Sequence, residues 1–489
     1  MRIPTNRESD VPLYRQIQHY LQEQIISGAL PADTRLPASR ELANSLGVSR
    51  LTVTSAYDEL EALGLIFSVT GDGTYVADVP HQQIGPGKRS AGAQPPAWQA
   101  NLPQAWRCAS LELDEIIAQH MHPGIISFAE GSGDSQLFPL NDFRKAMMKV
   151  FQQFGKDALG YGDTAGYSPL RLKIARILAD QGIPAAPDQV LITSGSQQGL
   201  ELIFRLLVKP GDRVIAENPT HMGFMDVCRS MGVQVAAVPL DEQGMQVEVV
   251  ERFLQEQPAR IIYTVPNFQN PSGACLSSAR RRQLVSLAGR YGVPIVEDDF
   301  VGDLRYKGAA QPALKALDPD GSVIYVSTFS KMLIPSLRVG YVVSDENVHK
   351  HLLNLKHTSD IGVSNLVQHA LDEYLSVGRY QACLRQARRV YGKRRDAMLA
   401  ALDRHMPPGV HWTVPAGGLF IWLTLPAGKS ADDFLPFASR AGVIFAPGSY
   451  FTHNLENNPN LRLNFARQPV ERIEEGIFRL GKALREYIR

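Results

Sequence analysis

Apolar residues recur every three or four positions at Tyr14, Ile17, Leu21 and Ile25 and predict an amphipathic helix that stops near Gly28. The next segment, "PASRELANSLG", reads as a short second helix with Ser39 as its N-cap and Gly47 as its C-terminal stop. In "VSRLTVTSAYDELEALG" Ser49 is placed to cap a third helix. Val53, Ala56, Tyr57, Leu60 and Leu63 form its buried stripe, and Gly64 ends it. The face left over near its start carries Arg50, Leu51, Thr52, Thr54 and Ser55. The pattern then turns from helical to alternating: "LIFSVTGDGTYVAD" predicts two short strands around a Gly-Asp-Gly turn. Residues 1–77 therefore read as one α+β unit, a winged helix-turn-helix.

Residues 78–115 break both periods. The stretch is rich in Pro, Gly, Ala and Gln and reads as a linker, with Trp98 and Trp106 as docking points on another surface. Across 116–489 helical stretches alternate with the β-rich runs "DQVLITSG", "DRVIAENP", "RIIYTVPN", "VPIVEDDF", "SVIYVSTF" and "LRVGYVVS". That alternation predicts a large α/β domain with a mostly parallel sheet covered on both faces. From about residue 370, helices followed by "GGLFIWLTLP" and "NLRLNFAR" predict a small C-terminal α+β lobe.

Composition narrows the class. A chain of 489 residues with 44% hydrophobic and 20% charged residues is globular and multidomain. It holds no apolar run long enough for a membrane helix, and "MRIPTNRESDVPLYRQ" has no apolar targeting core, so a cytoplasmic location is expected. Cys108, Cys228, Cys275 and Cys383 are far apart and form neither a disulfide framework nor a zinc pattern. A net charge of +1 announces no nucleic-acid partner, so any such partner must be argued from local pattern.

The N-terminal unit supplies that pattern. A helix fits the major groove of double-stranded DNA and reads bases with its N-terminal residues. Arg50, at the start of the third helix behind Ser49, is the candidate for guanine or phosphate contact, and Arg35 and Arg40 suit phosphates. Thr52 and Thr54 suit bases or backbone, and the glycines of the wing, Gly73 among them, allow close approach to a groove. Acidic residues outnumber arginines over the whole unit, which leaves a three-helix protein-interaction module as the other reading. "TRLPASRELANSLGVSRLTVTSAYDELEALGLIFSVTGDGTYV" resembles the DNA-binding domain of GntR-type regulators over its whole length, with Ala38 where serine is usual. The resemblance implies DNA binding.

The large domain offers, in order, the parts that pyridoxal phosphate requires. Lys331 follows a strand, where open α/β sheets bind ligands, and is a candidate for an imine, although a lysine after a strand is by itself usually a surface lysine. Asp298 ends another strand and suits a pyridine nitrogen, or is a solvated loop carboxylate. Ser196 and Gln197 lie at a strand-to-helix junction with free backbone N–H groups, a ready anion site. Thr328, Ser330 and Arg338 add hydroxyls and a positive charge for a phosphate, and Asn270 can donate to a ring oxygen.

"YGDTAGYSPLR", "TSGSQQGL", "NPSG", "EDD", "STFSKMLIPSLRVGY" and "NLRLNFA" are similar, in that order, to the motifs of fold-type I aminotransferases. The resemblance implies Lys331 as the imine lysine, Asp298 at the pyridine nitrogen, Asn270 at the ring oxygen and Arg338 at the phosphate. It also implies that Tyr161 reaches the phosphate across a dimer interface and that Arg462 receives the carboxylate of an amino-acid ligand. Two positions depart from the pattern: Phe300 and Val301 stand where a phenol is usual, and His221 stands where an aromatic ring stacks on the cofactor.

Joined, the halves resemble the MocR class of bacterial regulators, of which the GABA-responsive regulator is the best-known type. The class implies a homodimeric, pyridoxal-phosphate-dependent transcriptional regulator that senses an amine or amino-acid effector through an external aldimine at Lys331. The alternatives are an active aminotransferase with a regulatory DNA-binding domain and a sensor of pyridoxal phosphate itself.

Overall fold

Ser49 sits in extended backbone and its side chain accepts a hydrogen bond from Thr52 N at 3.1 Å, so the third helix starts where its cap places it. In the computed structural model, which describes residues 3–6, 11–78, 106–376, 378–453 and 458–489, that helix is α3 (Arg50–Ala62). It packs with α1 (Leu13–Ile26) and α2 (Ser39–Leu46). Strands β1 (Ile66–Val69) and β2 (Gly73–Val76) pair antiparallel as the wing. Ile17, Leu21, Ile25, Leu42, Val53, Ala56 and Leu60 form one small core. Tyr57 Oη donates to Pro37 O at 2.9 Å and ties α3 to the approach of α2. Two details differ from expectation. Ser39 is the first residue of α2 rather than its cap, which falls on Ala38 with no side-chain bond. Leu63 is exposed, because α3 ends at Ala62 and the chain turns there.

The chain divides into two units, residues 1–104 and 105–489. Trp98 lies outside the described residues. The C-terminal end of the stretch read as linker is structured: α4 (Ala109–His120) begins inside it and belongs to the second unit. After β3 (Ile126–Ser127) come α5 (Leu140–Phe154), α6 (Ser168–Asp180), β4 (Val190–Thr193), α7 (Ser196–Leu207), β5 (Arg213–Asn218) and α8 (Met222–Met231). Strands β6 (Gln234–Asp241), β7 (Gly244–Met245), β8 (Ile261–Thr264), β9 (Ile295–Asp298), β10 (Val323–Thr328) and β11 (Gly340–Val343) complete an eight-stranded sheet. Its order is β4-β11-β10-β9-β8-β5-β6-β7. Strands β10, β9, β8, β5 and β6 run parallel, whereas β11 is antiparallel to both of its neighbours.

The side-chain alternation of a strand explains why this sheet is covered on both faces. Val214, Ala216, Ile261, Tyr263 and Val296 enter one hydrophobic core, while their neighbours Ile215, Ile262 and Ile295 enter a second. The C-terminal lobe holds a four-stranded antiparallel sheet of β12 (His411–Trp412), β13 (Phe420–Thr424), β15 (Ala446–Pro447) and β16 (Asn460–Asn464). The remaining strand, β14 (Val443–Ile444), pairs with β3.

Candidate functional site

Three parallel strands deliver chemistry at their C-terminal ends. Asp298 is the last residue of β9, Lys331 follows β10 by three residues, and Asn270 lies in the loop after β8. Lys331, Asp298, Asn270, Ser196, Gln197, His221, Arg338 and Arg462 all line one cavity of about 690 Å³, within the range of small-molecule sites.

The donor set fits pyridoxal phosphate. Asp298 is buried, and Tyr263 Oη donates to its Oδ2 at 2.8 Å while Oδ1 has no partner. An orphaned carboxylate oxygen in a dry site calls for a donor, and a pyridinium N–H is one. Burial pushes the Asp298 carboxyl up to about 7, against the pull of the Tyr263 bond and the Lys331 charge. Tyr263 is itself held by Phe224, stacked at 3.8 Å with 9° between the rings. Nothing in the sequence pattern of β8 singled out this tyrosine, since its spacing is that of an ordinary core strand.

At the other end of the cavity, α7 presents its N-terminal amides. Gly195 precedes the helix at φ 86°, and a Cβ there would lie 2.6 Å from Arg338 Nη2. Only glycine lets that guanidinium settle, with Nη2 donating to Ser194 O at 3.0 Å. Arg338 and the start of α7 thus form an anion cradle. Thr328 and Ser330 stand beside it but do not line the cavity: Thr328 Oγ1 donates to Val339 O at 3.2 Å and accepts from Ser330 N at 3.1 Å. Gln197 Nε2 donates to Gly223 O at 2.7 Å. Tyr161 is 95% exposed and lines a separate hollow with Ile361 and Asn365.

Lys331 supplies the lysine amine that lines the cavity. Burial, reinforced by the charges of Arg462 and Arg338, lowers its pKa to about 8, so the free amine is accessible near neutrality. Arg462, on β16, is 1% exposed and stands between the rings of Phe420 and Phe451, 4.2 and 4.7 Å from their centroids. Its Nη1 donates to Asn270 Oδ1 at 3.0 Å and its Nη2 to Ala129 O at 2.6 Å, while Nε has no partner. Burial pulls the guanidinium down to about 9. Only the Glu130 charge offsets that burial, and Arg462 makes no ion pair among the described residues; an incoming carboxylate would supply one. The same Arg462 bond orients Asn270 and leaves its amide N–H groups to donate to a ring oxygen. Lys331 and Arg462 converge: a Cβ at Gly131 would lie 3.9 Å from both Lys331 Nζ and Arg462 Nη2.

Phe300 is buried on the cavity wall and contributes no hydroxyl. His221 caps the start of α8 with Nδ1 unpartnered, and burial with the Lys331 and Arg462 charges lowers its pKa to about 4. Its ring is therefore neutral at pH 7 and presents a flat face without added charge.

In the N-terminal unit, Arg40, Ser49 and Arg50 are exposed around the start of α3, and Leu51 beside them is 75% exposed. Arg50 Nε approaches Ser39 Oγ at 3.4 Å, which holds the guanidinium near α2. Thr52 Oγ1 pairs with Ser49 Oγ at 2.8 Å, and Thr54 Oγ1 donates to Arg50 O at 3.0 Å, so that hydroxyl's proton is already committed within the helix. Arg35 is exposed, and its guanidinium bonds Asp72 O, lies 3.9 Å from Asp72 Oδ1 and packs where a side chain on Gly73 would be. It braces the wing, and its charge is partly neutralised there.

Residues 13–76 match the GntR family of bacterial regulatory proteins, and residues 123–480 match aminotransferase class I and II. The chain is 32% identical over 476 residues to an uncharacterized HTH-type transcriptional regulator, YisV, of Bacillus subtilis, covering 96% of each chain. It is 32% identical over 481 residues to the probable rhizopine catabolism regulatory protein MocR of Rhizobium meliloti, covering 98% of this chain and 95% of that one. The crystal structure of a kynurenine aminotransferase from Pyrococcus horikoshii superposes with a TM-score of 0.75 at 36% identity. That match covers 80% of this chain and 97% of the other.

Proposed function

Since the chain belongs to the MocR class, in which a GntR-type DNA-binding domain precedes a class I and II aminotransferase domain, we propose that it is a transcriptional regulator switched by an amine-bearing carboxylate. Pyridoxal phosphate is the cofactor, and when bound it supplies an aldehyde carbon at which one amine exchanges for another. Lys331 would hold that carbon, Asp298 would keep the pyridine nitrogen protonated, and Arg338 with the α7 amides would take the phosphate. Thr328 and Ser330 support the cradle from behind. Arg462 would dock the effector's carboxylate, and Lys331, once free, would hold the protons given up by the effector's ammonium. The observation that carries this reading is the convergence of Lys331 and the buried Arg462 on the space above Gly131.

The protein acts as a homodimer in the cytoplasm. Tyr161, almost wholly exposed within its own chain, completes the phosphate site of the other subunit. Two readers then address paired half-sites on double-stranded DNA through Arg40, Ser49, Arg50, Thr52 and Thr54, while Arg35 and Gly73 shape the wing.

A second reading, an aminotransferase under DNA-binding control, is favoured by the 36% identity to the aromatic-amino-acid aminotransferase 1 of Thermococcus litoralis. Against efficient turnover stand Phe300, which contributes no phenol, and His221 in place of a larger ring. Visible absorption of the purified protein with pyridoxal phosphate and a panel of amines, beside Lys331→Ala, tests both. A lysine-dependent band shifted by one amine, with a parallel change in operator affinity, supports the sensor. Conversion to pyridoxamine phosphate with keto-acid release supports the enzyme. A change in operator affinity with pyridoxal phosphate alone, indifferent to amines, supports a cofactor sensor.

A further inference from the structure

The segment that leaves the linker enters the ligand cavity. Trp106, Cys108, Ser110 and Asp114 line it together with Lys331 and Arg338. Ser110 and Asp114 are four residues apart on α4 and share one face of that helix. Asp114 is exposed at the rim, and its charge is felt by Lys331.

Ala109 and Leu113 pack this segment into the main core and Arg107 lies over the Tyr450 ring, while the polar groups of its first turn share one side chain from elsewhere. The first amides of a helix have no partner within it. Cys108, at the cap position of α4, makes no side-chain capping bond. The acceptor is Asp226 on α8, five residues beyond His221. Its Oδ1 accepts from Ala109 N at 2.8 Å, and its Oδ2 accepts from Ser110 N at 3.1 Å and Ser110 Oγ at 2.5 Å. Cys108 Sγ lies 3.6 Å from Oδ2, and Arg229 Nη1 donates to Oδ1 at 3.3 Å. Asp226 is 5% exposed, so these bonds are sheltered from water.

We propose that Asp226 is a positioning residue that fastens the C-terminal end of the linker to the effector pocket, so that ligand contact with the Trp106–Asp114 wall is passed to the chain leading to the DNA reader. The proposal rests on the sensor reading and adds where its signal leaves the pocket. The physical requirement is a contact whose geometry differs between the empty and filled pocket. A helix start held by one carboxylate meets it, because a small displacement of the wall lengthens several bonds at once. Asp226 borders the cavity, but its hydrogen bonds run to the start of α4 and to Arg229 and none goes to Lys331, Arg338 or Arg462, so the test reads ligand binding apart from the operator response.

The test uses the full chain and reads two signals from each sample. Asp226→Asn keeps the shape but turns an N–H2 group toward amides that need an acceptor. The expected result is a wild-type pyridoxal phosphate band and an amine titration midpoint within about threefold of wild type, while the amine-induced change in operator affinity, expected at about 5- to 150-fold, falls below about twofold. An intact operator response, or loss of the cofactor band together with the response, overturns the proposal. Failure of the sensor reading looks different: wild type itself shows no amine-dependent spectral shift. If Asp226→Asn does not fold, hydrogen exchange at the Ala109 and Ser110 amides of wild type decides. Amine addition must change their exchange severalfold, and unchanged rates sink the idea.

Discussion

The two units handle charge in opposite ways. In the N-terminal unit Arg35, Arg40 and Arg50 are exposed. Their attraction for phosphate acts through water and counterions and is screened by salt. In the large unit Arg462 is buried, and Lys331 lines the cavity. There desolvation dominates, lowering both pKa values and leaving a cation that salt does not reach. The first arrangement suits a long polyanion read along a groove, and the second suits one small anion bound at one place. A regulator of this class needs both: a reader that can let go, and a pocket that selects.

Several experiments sharpen or break that contrast. The largest effect is expected from Lys331→Ala, which removes the cofactor's covalent anchor and abolishes the lysine-dependent absorption band; a band that survives would place the anchor elsewhere. Next, Arg462→Met removes the buried cation. Affinity for amines bearing a carboxylate should fall by about 30-fold or more, the scale of losing one partner of a buried charge pair. Simple amines should lose far less, and equal losses for both would detach Arg462 from the carboxylate.

On the other side of the comparison, Arg50→Ala should weaken operator binding by about 5- to 150-fold, the ~1–3 kcal/mol of a base or phosphate contact. Raising salt should weaken wild-type operator binding steeply while moving the amine titration little. If both titrations respond to salt alike, the contrast between surface and buried charge fails.

A smaller effect is set by pH. With its pKa near 8 instead of the ordinary 10.5, Lys331 is protonated below about 8 and neutral above it. At pH 7 the free amine is about 10% of the total, against about 0.03% for an unshifted lysine. The rate at which cofactor-free protein captures pyridoxal phosphate should therefore rise with pH and level off above about 8; a rise continuing toward 10.5 would mean that burial does not govern this lysine. The smallest change is Ser49→Ala, which removes the cap of α3 and should lower the stability of the N-terminal unit by about 1 kcal/mol in thermal unfolding.

The winged helix was legible because its determinants are local. Caps, stop glycines and the apolar stripe of α3 lie within a few residues of what they control, and the departures at Ser39 and Leu63 are end effects of one residue. The strand series of the large domain was legible for the same reason, as was the placement of Asp298 at the end of one strand and of Lys331 just past another. Tyr263, Phe224 and Asp226 were not. Each reads as an ordinary residue of its strand or helix and acquires a role only through a partner 35 or more residues away, such as Asp298 for Tyr263 or the start of α4 for Asp226. The bracing contact of Arg35 was hidden for a related reason: the hairpin brings Asp72 back to it.

Local sequence thus determined the order of elements, the two-unit plan and the chemical types available to each, because helix, strand and turn preferences act over a few residues. Tertiary structure alone decided which groups are left wanting a partner. The free oxygen of Asp298, the unpartnered Nε of Arg462 and the distant cap on α4 arise from burial and close approach, which depend on how far-separated segments pack.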